Sequence, residues 1–462
     1  MWPYGRIRRK SYRKLQLVNS AGKRGNMKIQ WVNKVQEGIP SWTCARDGHW
    51  QPEDIRKLGR KRSGKLQILL NGESGSMEDL RLEAREIVRE LYRGAYEFSK
   101  KALKEWKQES VWEMRRRLAD FGDGEFFLVS DTDLTEAVEQ GTLEGRCAGY
   151  ARALGDLPNN YLHAEEMAGY AAALAEDLGC TIQLLKDDEL KSLGCGGILA
   201  VNQGSSRPAV LAALRYEGAP ASPLTALVGK GVMFDAGGYH LKDIDGMKGM
   251  KLDMCGAADV LETFEILARR KVKKNLLAIL VLVENVISPD ACKMGDVITM
   301  MGGQTVEIYN TDAEGRLILA DGLEYAQRQG ARQVIDVATL TYGCQAALGD
   351  EVTGVFCNSD TLFSAWQQAA GTAREKIWRL PLMEVYHRNL EWSVCADFAN
   401  YAPGKGAAAS TAACFLEKFI HPETEWLHLD MVGTATNRGE QKGMAMGASG
   451  AMIGSLIRFL ED

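Results

Sequence analysis

The sequence is short of the residues that usually announce metal or redox chemistry. Its six histidines form no HExxH or other paired spacing, and its ten cysteines are scattered with no CxxC among them. The common zinc-finger, zincin and thioredoxin patterns are thereby excluded. Thiols so dispersed read as core residues of a chain kept in a reducing, cytoplasmic compartment. Any metal bound here must draw most of its ligands from carboxylates. Long apolar runs are missing too. The longest, residues 276–283, falls well short of the roughly 18 needed to cross a bilayer and reads as a buried strand, so no membrane partner is expected. Prolines number only 11 against 48 glycines. That balance suits an α/β protein with many tight turns, not a disordered or collagen-like one. At 462 residues the chain is too long for one ordinary core, and roughly two to three domains are expected.

Acids are absent from residues 1–26, which carry eight basic side chains: Arg6, Arg8, Arg9, Lys10, Arg13, Lys14, Lys23 and Arg24. Subtracting those eight from the overall charge of −5 leaves −13 for residues 27–462. No apolar core follows this basic tail, so it does not read as a secretory signal. A nucleic-acid-binding arm is one reading. The plainer one is an upstream mis-start, because Met27-Lys28-Ile29-Gln30-Trp31 resembles a natural beginning. Lys23-Arg24-Gly25-Asn26 is also encodable by a purine-rich ribosome-binding stretch. We expect the second, and the acidity of the remainder argues against nucleic acid as a partner.

Residues 27–140 read as a smaller N-terminal α/β domain. Strands are expected at 67–70 and 125–129, one helix or two over 80–106, and a helix start at Ser130-Asp131-Thr132-Asp133. No chemical constellation stands out there. Residues 141–462 read as a larger C-terminal domain. Helices are expected through 148–157, 163–178, 256–270 and 314–328. Strands are expected at 181–185, 209–216, 224–234, 276–283, 306–309, 333–338 and 353–356. Such alternation predicts a doubly wound central sheet flanked by helices, with the ligand site beyond the carboxyl ends of its strands.

Three segments concentrate polar residues at strand or helix ends. Lys230 and Asp235 lie in or at the end of an apolar strand; the pair Lys230-Gly231 lacks any phosphate-loop spacing. Asp253 precedes a helix start. Asp312 and Glu314 sit in Asn310-Thr311-Asp312-Ala313-Glu314-Gly315-Arg316, where a strand runs into a helix. Each acid alone is readily explained as a helix cap. Four of them at such junctions are not, since clustered carboxylates repel unless cations neutralise them, and divalent metals are the natural answer.

These segments closely resemble the leucyl aminopeptidase family of cytosolic two-zinc exopeptidases, which includes peptidase B. Asn-Thr-Asp-Ala-Glu-Gly-Arg is that family's hallmark and stands unchanged at 310–316. The likeness runs over roughly residues 145–462 and takes in Asp336-Val337-Ala338-Thr339-Leu340-Thr341, Trp378-Arg379-Leu380-Pro381-Leu382 and Leu427-His428-Leu429-Asp430. The resemblance implies a metal-dependent aminopeptidase acting on peptides with a free N terminus. It implies two divalent ions, Zn²⁺ or Mn²⁺, per subunit. Lys230, Asp235, Asp253 and Glu314 match the ligands of the tighter ion. Asp235, Asp312 and Glu314 match those of the second, with Asp235 and Glu314 bridging. Lys242 and Arg316 match the two catalytic cations, Arg316 holding a bicarbonate. A hydroxide held between the ions is the implied nucleophile, and a homohexamer the implied assembly. Met250, Thr339, Leu340, Tyr342 and Ala435 are expected to line the substrate pocket.

The chain also departs from the family pattern. Ala236 and His240 stand where serines are usual, and Tyr342 replaces a glycine beside the first side-chain pocket. Tyr342 is expected either to narrow that pocket or to fold away from it, and His240 either to lie at the surface or behind the metals or to add a titratable group beside them. A catalytically impaired relative acting as a DNA-binding or scaffolding protein is the competing reading, and the seven retained metal and catalytic positions argue against it.

Overall fold

The computed structural model describes residues 27–43, 50–70, 76–439 and 442–461. The expectations for the basic tail, residues 1–26, lie outside them.

The first sheet is wholly parallel. It comprises β1 (Lys28–Val32), β2 (Ser41–Thr43), β3 (Lys65–Leu69) and β4 (Glu125–Val129), in the order β1-β4-β3-β2. A helix, α1 (Met77–Ala95), covers it, capped by Ser76 and Asp79 in a reciprocal box. The segment expected as one helix or two is two, because the chain turns extended at Tyr96 before Ser99 caps a second helix, Lys100–Glu105. The helix expected through 148–157 is longer: α2 (Thr135–Asp156) runs without a break through residue 140 and ends before Pro158. It packs on α1 and on α3 (Cys255–Arg269). Buried arginines tie these layers together, with Arg85 and Arg458 both meeting Glu144 and Glu461.

The second sheet has eight strands: β5 (Thr181–Leu185), β6 (Val210–Glu217), β7 (Leu224–Asp235), β8 (Asn275–Asn285), β9 (Ala331–Ala338), β10 (Thr353–Cys357), β11 (Ile377–Arg379) and β12 (Glu425–Asp430). Their order is β11-β10-β12-β9-β7-β8-β6-β5. The middle four are parallel, and antiparallel neighbours flank them on both sides. Every residue of β8 is buried, as a central parallel strand covered on both faces requires. One apolar layer gathers Leu227, Leu280 and Val337 beneath Phe264 of α3. The other gathers Val228, Val281 and Trp426 beneath Leu317 and Leu323 of α4 (Gly315–Arg328). The expected doubly wound α/β sheet is therefore present.

One strand differs from expectation. Residues 306–309 do not join the large sheet. The strand is Thr305–Glu307, and it pairs with Val297–Thr299 and Phe398–Ala399 in a separate three-stranded sheet. At three residues it makes its partners through the neighbouring hairpin, and local periodicity does not reveal which sheet that is. Asp312 and Glu314 thus reach the site from this smaller sheet and not from a central strand.

Candidate active site

The parallel strands β7 and β9 deliver the site at their carboxyl ends. Lys230 projects from β7, and β7 ends at Asp235. The chain then reverses through Gly237 at φ +88° and Gly238 at φ +62°. A Cβ on Gly237 would lie 2.3 Å from the His240 carbonyl oxygen, so only glycine makes this turn. The turn folds Lys242 back, its amide donating to the Ala236 carbonyl at 3.0 Å. Thr311 pins the turn from the other side: its hydroxyl donates to Gly237 O at 2.6 Å and accepts from the His240 amide at 2.8 Å. Asp253 arrives just before α3. That helix approaches so closely that a Cβ on Gly256 would meet the Val337 carbonyl oxygen at 2.1 Å.

The polar groups interlock. Lys230 Nζ donates to Asp253 Oδ1 at 2.9 Å and to the Thr339 carbonyl at 2.8 Å, and lies 2.9 Å from Glu314 Oε1. Lys242 Nζ lies 2.8 Å from Asp235 Oδ2 and also contacts Asp312. Asp235 Oδ1 accepts from the Gly237 amide at 2.9 Å and from Asn285 Nδ2 at 2.8 Å. Asp253 accepts from the Thr339 hydroxyl at 2.7 Å. Neither Asp253 nor Glu314 caps a helix by its side chain, so the capping explanation fails for both.

Crowding shows in the proton affinities. Burial, together with Asp235 and Glu314, pushes Asp253 up to about 8 against the pull of Lys230. Burial and the same two carboxylates push Asp312 up to about 7. Burial also raises Asp235, with Glu314 adding to it. Burial opposes ionisation of Glu314 as well, yet Lys230 and Lys242 hold it below its ordinary value. Burial works against both lysine ammoniums, but the surrounding acids raise them above theirs. Four carboxylates facing two ammonium groups leave two formal negative charges in a buried space, which is a demand for cations.

The donor set fits divalent metal. Oxygen atoms of Asp235, Asp312 and Glu314 lie within 4.8 Å of one another. Glu314 Oε2 is buried with no hydrogen-bond partner among the described residues. Asp253 Oδ2 and Asp312 Oδ1 touch lysine ammoniums without hydrogen-bond geometry. These carboxylates form the base of a cavity of about 740 Å³, walled by Met250, Leu252, Thr339, Leu340 and Tyr342.

Comparison with known proteins identifies the family. The model of the cytosol aminopeptidase family's catalytic domain matches residues 149–457. The chain belongs to the cytosol aminopeptidase family. A probable cytosol aminopeptidase of Bacillus licheniformis is 42% identical to it over 339 residues, covering 72% of this chain and 68% of that relative. The protein is accordingly a hydrolase of the leucyl aminopeptidase type.

In this cytosol aminopeptidase the remaining expected residues are placed unevenly. Met250, Thr339, Leu340 and Tyr342 all face the cavity. Tyr342 stands in it, with its hydroxyl 3.4 Å from the Gly246 carbonyl and 3.9 Å from Met250 Sδ, and its ring 5.7 Å from Lys242 Nζ. Ala435 is buried behind the wall, and its neighbours Val432 and Thr436 line the cavity instead. His240 is exposed and does not line the cavity. Arg316 is buried and does not line the cavity. Its Nη1 donates to the Asn400 carbonyl at 2.9 Å, while its Nε has no partner among the described residues. Burial lowers its pKa to about 10.

Sequence reasoning missed three supporting residues. Asn285 ends the apolar β8 and donates to both Asp235 and the Thr311 carbonyl; a polar residue closing a buried run was the available signal. Asp430 ends β12 and accepts from the amides of Leu340 and Thr341, each at 3.2 Å, and from the Thr341 hydroxyl at 2.6 Å. Asn400 bonds the backbone of Tyr309 and Asn310, and nothing local to its sequence marks it.

Proposed function

We propose that this chain is a metal-dependent aminopeptidase that releases N-terminal amino acids from peptides with a free N terminus. The observation that carries the reading is the convergence of Asp235, Asp312 and Glu314 within 4.8 Å, with a buried Glu314 oxygen left without a partner. Lys230, Asp235, Asp253 and Glu314 would hold one ion, and Asp235, Asp312 and Glu314 a second. When bound, two divalent cations such as Zn²⁺ or Mn²⁺ supply Lewis acidity, a water of lowered pKa and an anchor for the substrate's α-amino group. Lys230 would serve as a ligand in its neutral form, a state that nearby divalent charge favours.

The protein's own groups do the rest. Lys242 keeps its charge and faces the cavity, where an ammonium stabilises the oxyanion that develops on the scissile carbonyl. Arg316, with an unpartnered Nε, presents a guanidinium edge suited to a planar anion such as bicarbonate. Held there, such an anion would supply a proton carrier, which no histidine among the described residues lining the cavity provides. Met250, Thr339, Leu340 and Tyr342 form the wall for the first side chain. Thr339 both binds Asp253 and receives Lys230, so the pocket wall and the charged centre move as one unit.

We extend the reading to a cytoplasmic homohexamer. Large side chains left exposed on the single chain, among them Trp378, Met383 and Val394, support assembly by offering apolar surface to cover. Among the described residues no helix is long and apolar enough to cross a membrane. The deciding experiment measures hydrolysis of a free and an N-blocked peptide, with and without chelator, alongside metal content. Cleavage of the free peptide alone, abolished by chelator and restored by Zn²⁺ or Mn²⁺, is expected. Equal cleavage of the blocked peptide, or none with added metal, would overturn the reading.

A further inference from the structure

Three groups of His, Cys, Asp and Glu side chains among the described residues bring ligand atoms within 4.8 Å of one another. One is the centre at Asp235, Asp312 and Glu314. The second, Cys147 with Glu262 and Glu265, is already filled. Arg115 donates to both Glu265 oxygens, at 2.7 and 3.2 Å, and the Tyr170 hydroxyl donates to Glu262 at 2.5 Å. Its charge demand is met by a guanidinium.

The third group differs. Cys414 and Glu417 lie three residues apart on α6 (Ala408–Glu417), hence on one face. His387 reaches them from the short helix Glu384–Arg388 packed alongside. His387 Nε2 sits 2.8 Å from Glu417 Oε2. Among the described residues no lysine or arginine pairs with Glu417. The Cys414 thiol is buried; it makes a weak contact, 3.9 Å, with the Met383 carbonyl and also bonds His387, whose pKa Cys414 and Glu417 together raise to about 9, so an entering ion displaces a proton there. The His387 and Glu417 side chains are 20% and 25% exposed, so water and ions reach the group from one side. None of the three lines the catalytic cavity.

Thiolate, imidazole and carboxylate together are the donors of tetrahedral zinc sites, and they disfavour Mg²⁺ and Ca²⁺. Bonds of about 2.0–2.3 Å place tetrahedral ligands about 3.3–3.8 Å apart. His387 Nε2 and Glu417 Oε2, now 2.8 Å apart, therefore need to open by about 0.5–1 Å, and no pair needs to close by more than about 1.5 Å, both within the reach of side-chain adjustment. Three protein ligands and one water would complete the shell.

We infer that His387, Cys414 and Glu417 form a second metal site, separate from the catalytic centre, which takes one borderline-soft divalent ion such as Zn²⁺. The ion clamps the Glu384–Arg388 segment to α6. It would act on stability and not on chemistry, since its residues touch neither cavity nor catalytic groups.

Cobalt separates the two sites, because only this one offers a thiol. The full chain, stripped of metal, is titrated with Co²⁺ and its near-ultraviolet absorption followed. An intense thiolate-to-cobalt band is expected in the parent and in Cys395→Ser, which removes the exposed thiol among the described residues. Cys414→Ser should lose the band, and His387→Gln should weaken Co²⁺ affinity at the band by at least about 10-fold. Peptide hydrolysis should be unchanged in all three. Absence of the band in the parent, or its survival in Cys414→Ser, overturns the inference. If Cys414→Ser does not fold, His387→Gln decides, and a band of unaltered affinity there overturns it equally. A chain without the band that still hydrolyses peptides sinks this site and leaves the catalytic reading intact.

Discussion

Tyr342 is the residue through which this enzyme should differ most from its relatives. It opens α5 (Tyr342–Leu348) immediately after Thr341, which caps that helix. Its side chain crosses the cavity to the Gly246 carbonyl and Met250 Sδ. Replacing it by glycine removes an entire aromatic wall from the pocket that receives the first side chain. The structural cost is small, because the residue is half exposed and its hydroxyl contacts are long. The lost contact with the largely buried Lys242 ammonium contributes about 0.5–2 kcal/mol. Specificity should move by more. A single methylene in an apolar pocket discriminates by about 1–3 kcal/mol, roughly 10–200-fold in kcat/KM, and a whole ring exceeds one methylene. Tyr342→Gly should therefore raise kcat/KM for leucyl, methionyl and phenylalanyl amides relative to alanyl amide by at least about 10-fold. Tyr342→Phe, which keeps the ring, should shift the same ratio less than about 3-fold, matching loss of one weak hydrogen bond. The assay is a panel of aminoacyl amides at saturating metal, with thermal unfolding as a folding check. A ratio unchanged in a folded Tyr342→Gly would show that the tyrosine does not shape the pocket, and the argument would fail.

Three other outcomes are expected. Arg316→Lys keeps the charge but loses the planar fork, so kcat should fall by about 10²–10⁴ with KM little altered; parent-like kcat would remove Arg316 from proton handling. Asp430→Asn weakens the clasp on Leu340 and Thr341 and should cost about 1–3 kcal/mol of stability, with KM rising more than kcat falls; parent-like stability and KM would show the clasp to be inert. Burial works against protonation of His428, but Asp336 at 2.5 Å, with Asp430 nearby, raises its pKa above the ordinary value in spite of Arg316. A raised folded pKa stabilises fully below the unfolded value of about 6.5 and loses that contribution as pH rises through the folded value. The stability difference between parent and Asp336→Asn should therefore shrink as pH rises from the acid side past about 6.5; a difference that grows with pH would refute the assignment.

The parts of the site legible in sequence share one property: a charged residue where burial makes charge expensive. Lys230 and Asp235 interrupt an apolar run, and 310–316 places two acids at a strand-to-helix junction. Asn285 carries the same signal in weaker form, since a neutral amide ending a strand is unremarkable until Asp235 lies opposite. The inner strands of the central sheet were readable because they are continuous apolar runs between helices, whereas the short, exposed edge strand Ile377–Arg379 carries no such signal. The strand expected at 306–309 was not, because pairing partners distant in sequence decide its sheet, and Phe398–Ala399 lies some ninety residues on. Ala435 illustrates a finer limit: a wall formed by a short loop depends on which of Val432, Ala435 and Thr436 faces inward, and no periodicity governs such a loop.

The charge balance of the site also explains why some of its residues are poor probes. Lys230 lies on a buried central strand and is held by Asp253, Glu314 and the Thr339 carbonyl. Removing one partner of a buried ion pair typically costs about 3–5 kcal/mol, because the other charge is left uncompensated. Loss of activity in a Lys230 or Asp253 variant would therefore confound a lost ligand with a collapsed centre. Arg316 and Tyr342 escape this. The guanidinium donates to the Asn400 carbonyl and not to a carboxylate, and the tyrosine is an uncharged, half-exposed wall, so neither is needed to neutralise the carboxylates. The residues that neutralise one another hold the site together, and those outside that charge balance are where its chemistry and selectivity are most cleanly tested.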